Sequence, residues 1–167
     1  MLLVNPDTRV NKDIPNIGLA YIATYLNAKA IDLNTIIKPR NRFLNYKTDV
    51  LGLSVQSRSF KESLRIAKLY KAKYPNAEVR SVSGILDVQC CYPYLRFDND
   101  IYFEQPFDDS LLFPNYELFD SFDSFKKNWQ SGSWSYAIMT SQGCPYHCIY
   151  CWSKERPYRV RSSQNCF

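Results

Sequence analysis

A chain of 167 residues, 46% hydrophobic and 22% charged, has the make-up of a soluble globular protein, with room for one ordinary domain or a small one plus part of another. No apolar run approaches the roughly 18–20 residues needed to cross a bilayer. Met1 leads straight into Leu2-Leu3-Val4 with no basic n-region or cleavage site, so no membrane partner is expected and the chain reads as cytoplasmic. The net charge of +5 is unevenly spread: basic over residues 1–95, acidic over 96–130, basic again to the end. Such a pattern suits segments that attract one another or a basic face toward an anionic ligand, and is most often just a solvated surface. There is no Lys/Arg block interleaved with aromatics, so nucleic acid is not an expected partner.

Residues 2–5 read as a buried strand stopped by Pro6. A polar loop leads to a helix starting near Asn16, with Leu19, Ile22, Ala23, Leu26 and Ala30 on one face. Residues 32–38 are expected as a second strand ended by Pro39, and 40–48 as a basic loop where a helix is missing. Residues 50–55, nearly continuous in apolar side chains, suit a buried parallel strand. Ser59-Phe60-Lys61-Glu62 is a capping-box pattern. It opens a helix with Phe60, Leu64, Ala67 and Tyr74 on one stripe and Ile66, Leu69 and Tyr70 beside it, ended by Pro75. Residues 78–84 form the last expected strand, with Gly84 at its exit.

Two strand–helix–strand units in succession predict an α/β fold built on an open parallel, Rossmann-like sheet. Ligands of such sheets sit beyond the carboxyl ends of the strands. Those ends are Asn5-Pro6, Ser54 to Ser57, and Ser83-Gly84, which makes Ser54, Ser83 and Gly84 candidate ligand-binding residues. No strand is expected between Gly84 and Phe113, so the sheet is left incomplete. Residues 98–123, acidic and aromatic, read as a linker packed on a surface, 124–129 as a short helix and 131–134 as a turn. The expected division is an α/β domain over 1–95, a linker over 96–133 and a further unit over 134–167. Cys90 and Cys91 are adjacent and read as buried or idle thiols.

Three of the six cysteines, Cys144, Cys148 and Cys151, follow one another as C-x3-C-x2-C. Thiolates this close converge when a short loop curls, and three of them fall one short of the four ligands of ordinary zinc or iron–sulfur sites. The remaining position falls to a distant residue, or stays open for a substrate as in catalytic metal sites. Cys166 or His147 would complete a zinc site. A disulfide is not expected in a reducing compartment, and His147, the only histidine, reads as a solvated side chain.

With the aromatic Tyr150 before the third cysteine, the loop resembles the radical SAM signature, and residues 136–146 are similar to the first barrel strand leading into it. Gln142 stands where many relatives carry Arg. The resemblance implies that Cys144, Cys148 and Cys151 hold a [4Fe-4S] cluster whose fourth iron is chelated by S-adenosylmethionine, with Tyr150 on the adenine side. One-electron reduction, from a donor such as flavodoxin or ferredoxin, then yields a 5′-deoxyadenosyl radical that abstracts hydrogen from a small-molecule substrate. The segments 2–6, 15–26 and 49–54 resemble the cobalamin-binding domain that precedes the radical SAM core in one subfamily, and 113–120 its interdomain linker. That implies cobalamin as a further cofactor and a methyltransferase or cyclase, although the D-x-H-x-x-G motif is absent. Since 134–167 supply only the first strand and cluster loop of a β/α barrel, the chain is expected to be an amino-terminal portion, inactive alone. The contrasting expectation is a non-catalytic zinc or iron–sulfur module.

Overall fold

β1 (Leu2–Asn5) is buried along its whole length and is an inner strand of a parallel sheet. β2 (Lys29–Asp32) pairs on one side of it and β3 (Val50–Leu53) on the other. β4 (Glu78–Gly84) and β5 (Ile101–Phe103) extend the sheet beyond β3, all parallel, in the order β2-β1-β3-β4-β5. This computed structural model describes residues 1–8, 15–34, 41–84, 101–103, 108–123, 137–149 and 157–166.

Parallel strands need crossovers, and the helices that make them cover both faces. Because strand side chains alternate, Leu2 and Val4 point to one face and Leu3 to the other. On the first face Leu2, Val4, Ile31, Leu51, Leu53 and Val79 pack with Ile66 and Tyr70 of α2 (Phe60–Lys73). On the second face Leu3, Ala30 and Val82 pack with Leu19, Ala20, Ile22 and Ala23 of α1 (Ile17–Leu26). Gly52 lets strands and side chains close up there: a Cβ would fall 2.5 Å from Val82 Cγ2 and 2.7 Å from Leu3 Cδ2.

The expected α/β class with an open parallel sheet is observed, with three corrections. β2 begins three residues earlier than expected, and Ala30 belongs to it rather than to the helix face. The cause is Asn27, whose left-handed backbone (φ 46°) ends α1 at once. Residues 35–38 of the expected strand lie outside the described residues. The sheet also does not stop at β4, because Ile101–Phe103 adds a fifth strand inside the stretch expected as linker. Finally, Ser59 does not cap α2 with its side chain. Its Oγ accepts the Gln56 N–H at 3.0 Å, while Glu62 takes a forked hydrogen bond from Arg65 at 2.8 and 2.6 Å.

Among the described residues between β2 and β3, a 3-10 turn over Arg42–Asn45 buries Phe43 against the α2 face. Two tyrosines of the α2 end hold the turn down. Tyr70 OH donates to the Tyr46 carbonyl at 2.8 Å and Tyr74 OH to the Leu44 carbonyl at 2.8 Å. Burial pushes the Tyr70 hydroxyl pKa up, which keeps it a neutral donor. The acidic stretch covers the other face: Tyr116 and Phe119 enter the α1 core, and Phe119 bridges Ala30 at the β2 edge. Among the described residues no helix is long and apolar enough to cross a membrane.

Candidate functional site

The cysteine loop rises from a two-stranded antiparallel ribbon. β6 (Ser141–Gln142) pairs with β7 (Arg159–Val160), Ser141 opposite Val160 and Gln142 opposite Arg159. The Arg161 N–H adds one more rung to the Thr140 carbonyl at 2.9 Å. Gly143 then turns the chain out of the ribbon with φ +85°, and a Cβ on it would sit 2.2 Å from the Pro157 carbonyl oxygen. Only glycine meets both the positive φ and the close approach. Cys144 follows directly.

The Cys144 thiol is half-buried and Cys148 exposed, and neither is in a disulfide. Both occupy the loop that the ribbon closes, whereas Tyr150 and Cys151 lie outside the described residues. Among the described residues no three metal-ligating side chains assemble. His147 is exposed, as expected of a solvated side chain. Cys166, a third free thiol, is half-buried and follows the 3-10 turn Ser163–Asn165. The donor set that is described, two thiols in a glycine-started loop, has the chemistry to fit an iron–sulfur or zinc centre.

The expected strand over 136–146 is confined to β6, and its partner is antiparallel. Tyr136, the helix expected over 124–129, the turn over 131–134 and the Cys90-Cys91 pair all lie outside the described residues. The segment before β6 is fixed by polar contacts to the α1 side. Met139 N–H donates to Tyr21 OH at 3.1 Å, and Tyr116 OH donates to the Ala137 carbonyl at 2.8 Å.

The acidic stretch meets both basic portions, the first through an ion pair and the last through hydrogen bonds from uncharged donors. Asp120 Oδ2 accepts from Arg42 Nε at 2.6 Å. Asp109 Oδ1 accepts the Ser162 N–H at 2.8 Å, and its backbone carbonyl takes Asn165 Nδ2 at 2.7 Å. The Ser162 hydrogen bond lowers the Asp109 pKa from its ordinary 3.8, and hydrogen bonds from Ser110 do the same for Asp108.

At the carboxyl edge of the sheet, Ser54 lies one residue beyond β3, half-buried, with its N–H bonded to the Val4 carbonyl at 2.9 Å. Ser83 and Gly84 end β4, paired with Tyr102 and Phe103. The structure therefore brings all three candidates to one edge. In the order 2-1-3 the chain leaves β1 for one side and returns to the other, which puts the switch point between β1 and β3, at Ser54.

The sequence reading missed the polar clamp beside this point. Asp32 is 0% exposed at the end of β2, in register with Asn5. Its Oδ1 accepts from Asn5 Nδ2, the Asn34 N–H and Asn34 Nδ2, each at 3.0 Å, and its Oδ2 from the Asn16 N–H at 2.8 Å. Asn16 in turn caps α1, its Oδ1 accepting the Leu19 N–H at 2.9 Å. Asp32 thus ties the strand ends to the start of α1. The available signal was an Asp and two Asn at strand ends, residue types that favour such local bonding.

Compared with family models, with curated proteins and with solved structures, the chain matches none.

Proposed function

We propose that the chain belongs to a cytoplasmic radical SAM enzyme, with Cys144, Cys148 and Cys151 as the three protein ligands of a [4Fe-4S] cluster. The observation that carries the reading is the loop itself: free, accessible thiols follow a glycine whose backbone starts a tight curl. A reduced cluster would supply the electron that cleaves S-adenosylmethionine, whose adenine Tyr150 would flank. The protein residues do simpler work. Gly143 and the β6–β7 ribbon set the first thiol, and the rest of a β/α barrel would shield the centre from water. A flavodoxin- or ferredoxin-like donor and a small-molecule substrate are the partners this reading requires.

The sheet supports the subfamily assignment. Five parallel strands in the order 2-1-3-4-5 offer a ligand edge at Ser54, Ser83 and Gly84. We propose cobalamin as the occupant, without an axial histidine, since His147 is in the cysteine loop. The activity would then be methyl transfer or cyclisation.

Anaerobic reconstitution with iron and sulfide tests the reading. A broad visible absorption that changes when S-adenosylmethionine is added supports it. Tight zinc uptake with no such spectrum supports instead a structural metal module, for which Cys166, half-buried beyond β7, is the available fourth thiol. Retention of cobalamin through purification tests the sheet separately.

A further inference from the structure

Arg161 follows β7 and is only 5% exposed. Its Nη2 donates to the Leu111 carbonyl, and its Cζ stands 4.7 Å from the centre of the Phe113 ring. Nε and Nη1 are buried with no acceptor among the described residues. A guanidinium offers five N–H donors and keeps its charge at any ordinary pH. Most of that capacity is unanswered here.

The charges of Asp108 and Asp109 reach Arg161, but both carboxylates are exposed, where water screens them, and neither hydrogen-bonds it. Asp108 accepts from the N–H and hydroxyl of Ser110, and Asp109 from the Ser162 N–H. Gln142 shares the ribbon face with Arg161, because it pairs with Arg159 and strand side chains alternate. Gln142 is 7% exposed, and its Oε1 is also without a partner among the described residues. Turning the amide over would put its NH2 donor at that place.

We propose that Arg161 and Gln142 form a site for a small oxyanion, the carboxylate or phosphate group of a ligand, at the stem of the cysteine loop. A buried charge is costly without a partner of opposite sign. An oxyanion would take charge-assisted hydrogen bonds from Nε and Nη1 and remove that cost. A buried water would satisfy the hydrogen bonds but add no charge to the two screened carboxylates.

The test uses the metal-free full chain, titrated with sodium phosphate and, separately, with sodium acetate, while the Arg161 Nε–H resonance is followed by NMR. The expected result is a saturable shift. The stronger of the two responses names phosphate or carboxylate as the ligand group. Gln142→Glu builds a fixed carboxylate into the site, so it should raise the melting temperature and weaken anion binding at least tenfold. No saturable shift with either anion overturns the proposal. So does a Gln142→Glu variant that melts lower and still shifts like the parent, which is the outcome for a bridging water. Because no metal is present, failure here leaves the cluster reading untouched.

Discussion

The sheet and the cysteine ribbon are held by different forces. The sheet has a dry cluster on each face, closed by α2 on one side and by α1 with Tyr116 and Phe119 on the other. The ribbon has two residues per strand and is held by a glycine turn and polar ties to Asp109 and Leu111. Its loop exposes large apolar side chains, Ile149 at 93% among them. Apolar burial, at about 25 cal/mol per Å², is the main force holding the first region. The second has little to bury, and a small element of this kind gains most from a bound metal, since metal-binding energy there is also folding energy. The contrast therefore separates a scaffold from the proposed site.

Core truncation should strike the sheet alone. Ile66→Ala, at a fully buried position between α2 and the first face, is expected to cost about 2–5 kcal/mol in urea unfolding. Amide shifts of Gly143 and Cys144 should stay in place. A loss under about 1 kcal/mol would mean that the α2 face is not packed as described.

Asp32→Ala comes next. It removes the acceptor of buried donors from Asn5, Asn16 and Asn34, at about 1–3 kcal/mol for a buried group left unsatisfied. The same variant should raise hydrogen exchange at the first turn of α1. A wild-type unfolding midpoint would show that the clamp contributes nothing.

Gly143→Ala reverses the pattern. Its positive φ and the Pro157 carbonyl make the change destabilising, by more than the about 0.4–1 kcal/mol that Gly→Ala gains where the backbone allows it, but only within the ribbon. The sheet's urea midpoint should not move, while exchange protection of the Arg161 amide falls and iron uptake drops. A global midpoint shift would join the two regions into one cooperative unit.

The smallest effect is on pH. Asp108 and Asp109 have folded pKa values below the ordinary 3.8, so what they contribute is present above that value and is lost as pH falls through the depressed folded values. The Ser110 and Ser162 amide resonances should move in that acidic window and not between pH 5 and 8. A transition near neutrality would point to a different group at the joint.

What could be read from the sequence follows the same division. β1 and β3 were legible because buried parallel strands are short apolar runs, and α2 because its stripe repeats at helical spacing. The stripe's centre, Ser63-Ile66-Tyr70, was less so, since a buried serine hides the period. β5 has three residues between acidic neighbours, and its partner β4 lies well back in the chain, so nothing local announces it. Asn27 moved β2 by a backbone conformation that asparagine permits but does not advertise. In the ribbon, spacing gave the cysteines. The buried Arg161 and the antiparallel partner of Gln142 depend on a pairing across the whole loop, which no periodicity encodes.

The account turns on whether the loop captures an iron cluster. The most direct measurement is the iron and sulfide content of anaerobically reconstituted protein beside its Cys144→Ala, Cys148→Ala and Cys151→Ala variants, each with a urea curve. The account expects about four irons per chain in the parent, as for a cubane cluster, a collapse of that content in every variant, and an unchanged sheet midpoint in the metal-free forms. Iron that persists after any one of the three substitutions, or a parent chain that takes up none, contradicts it.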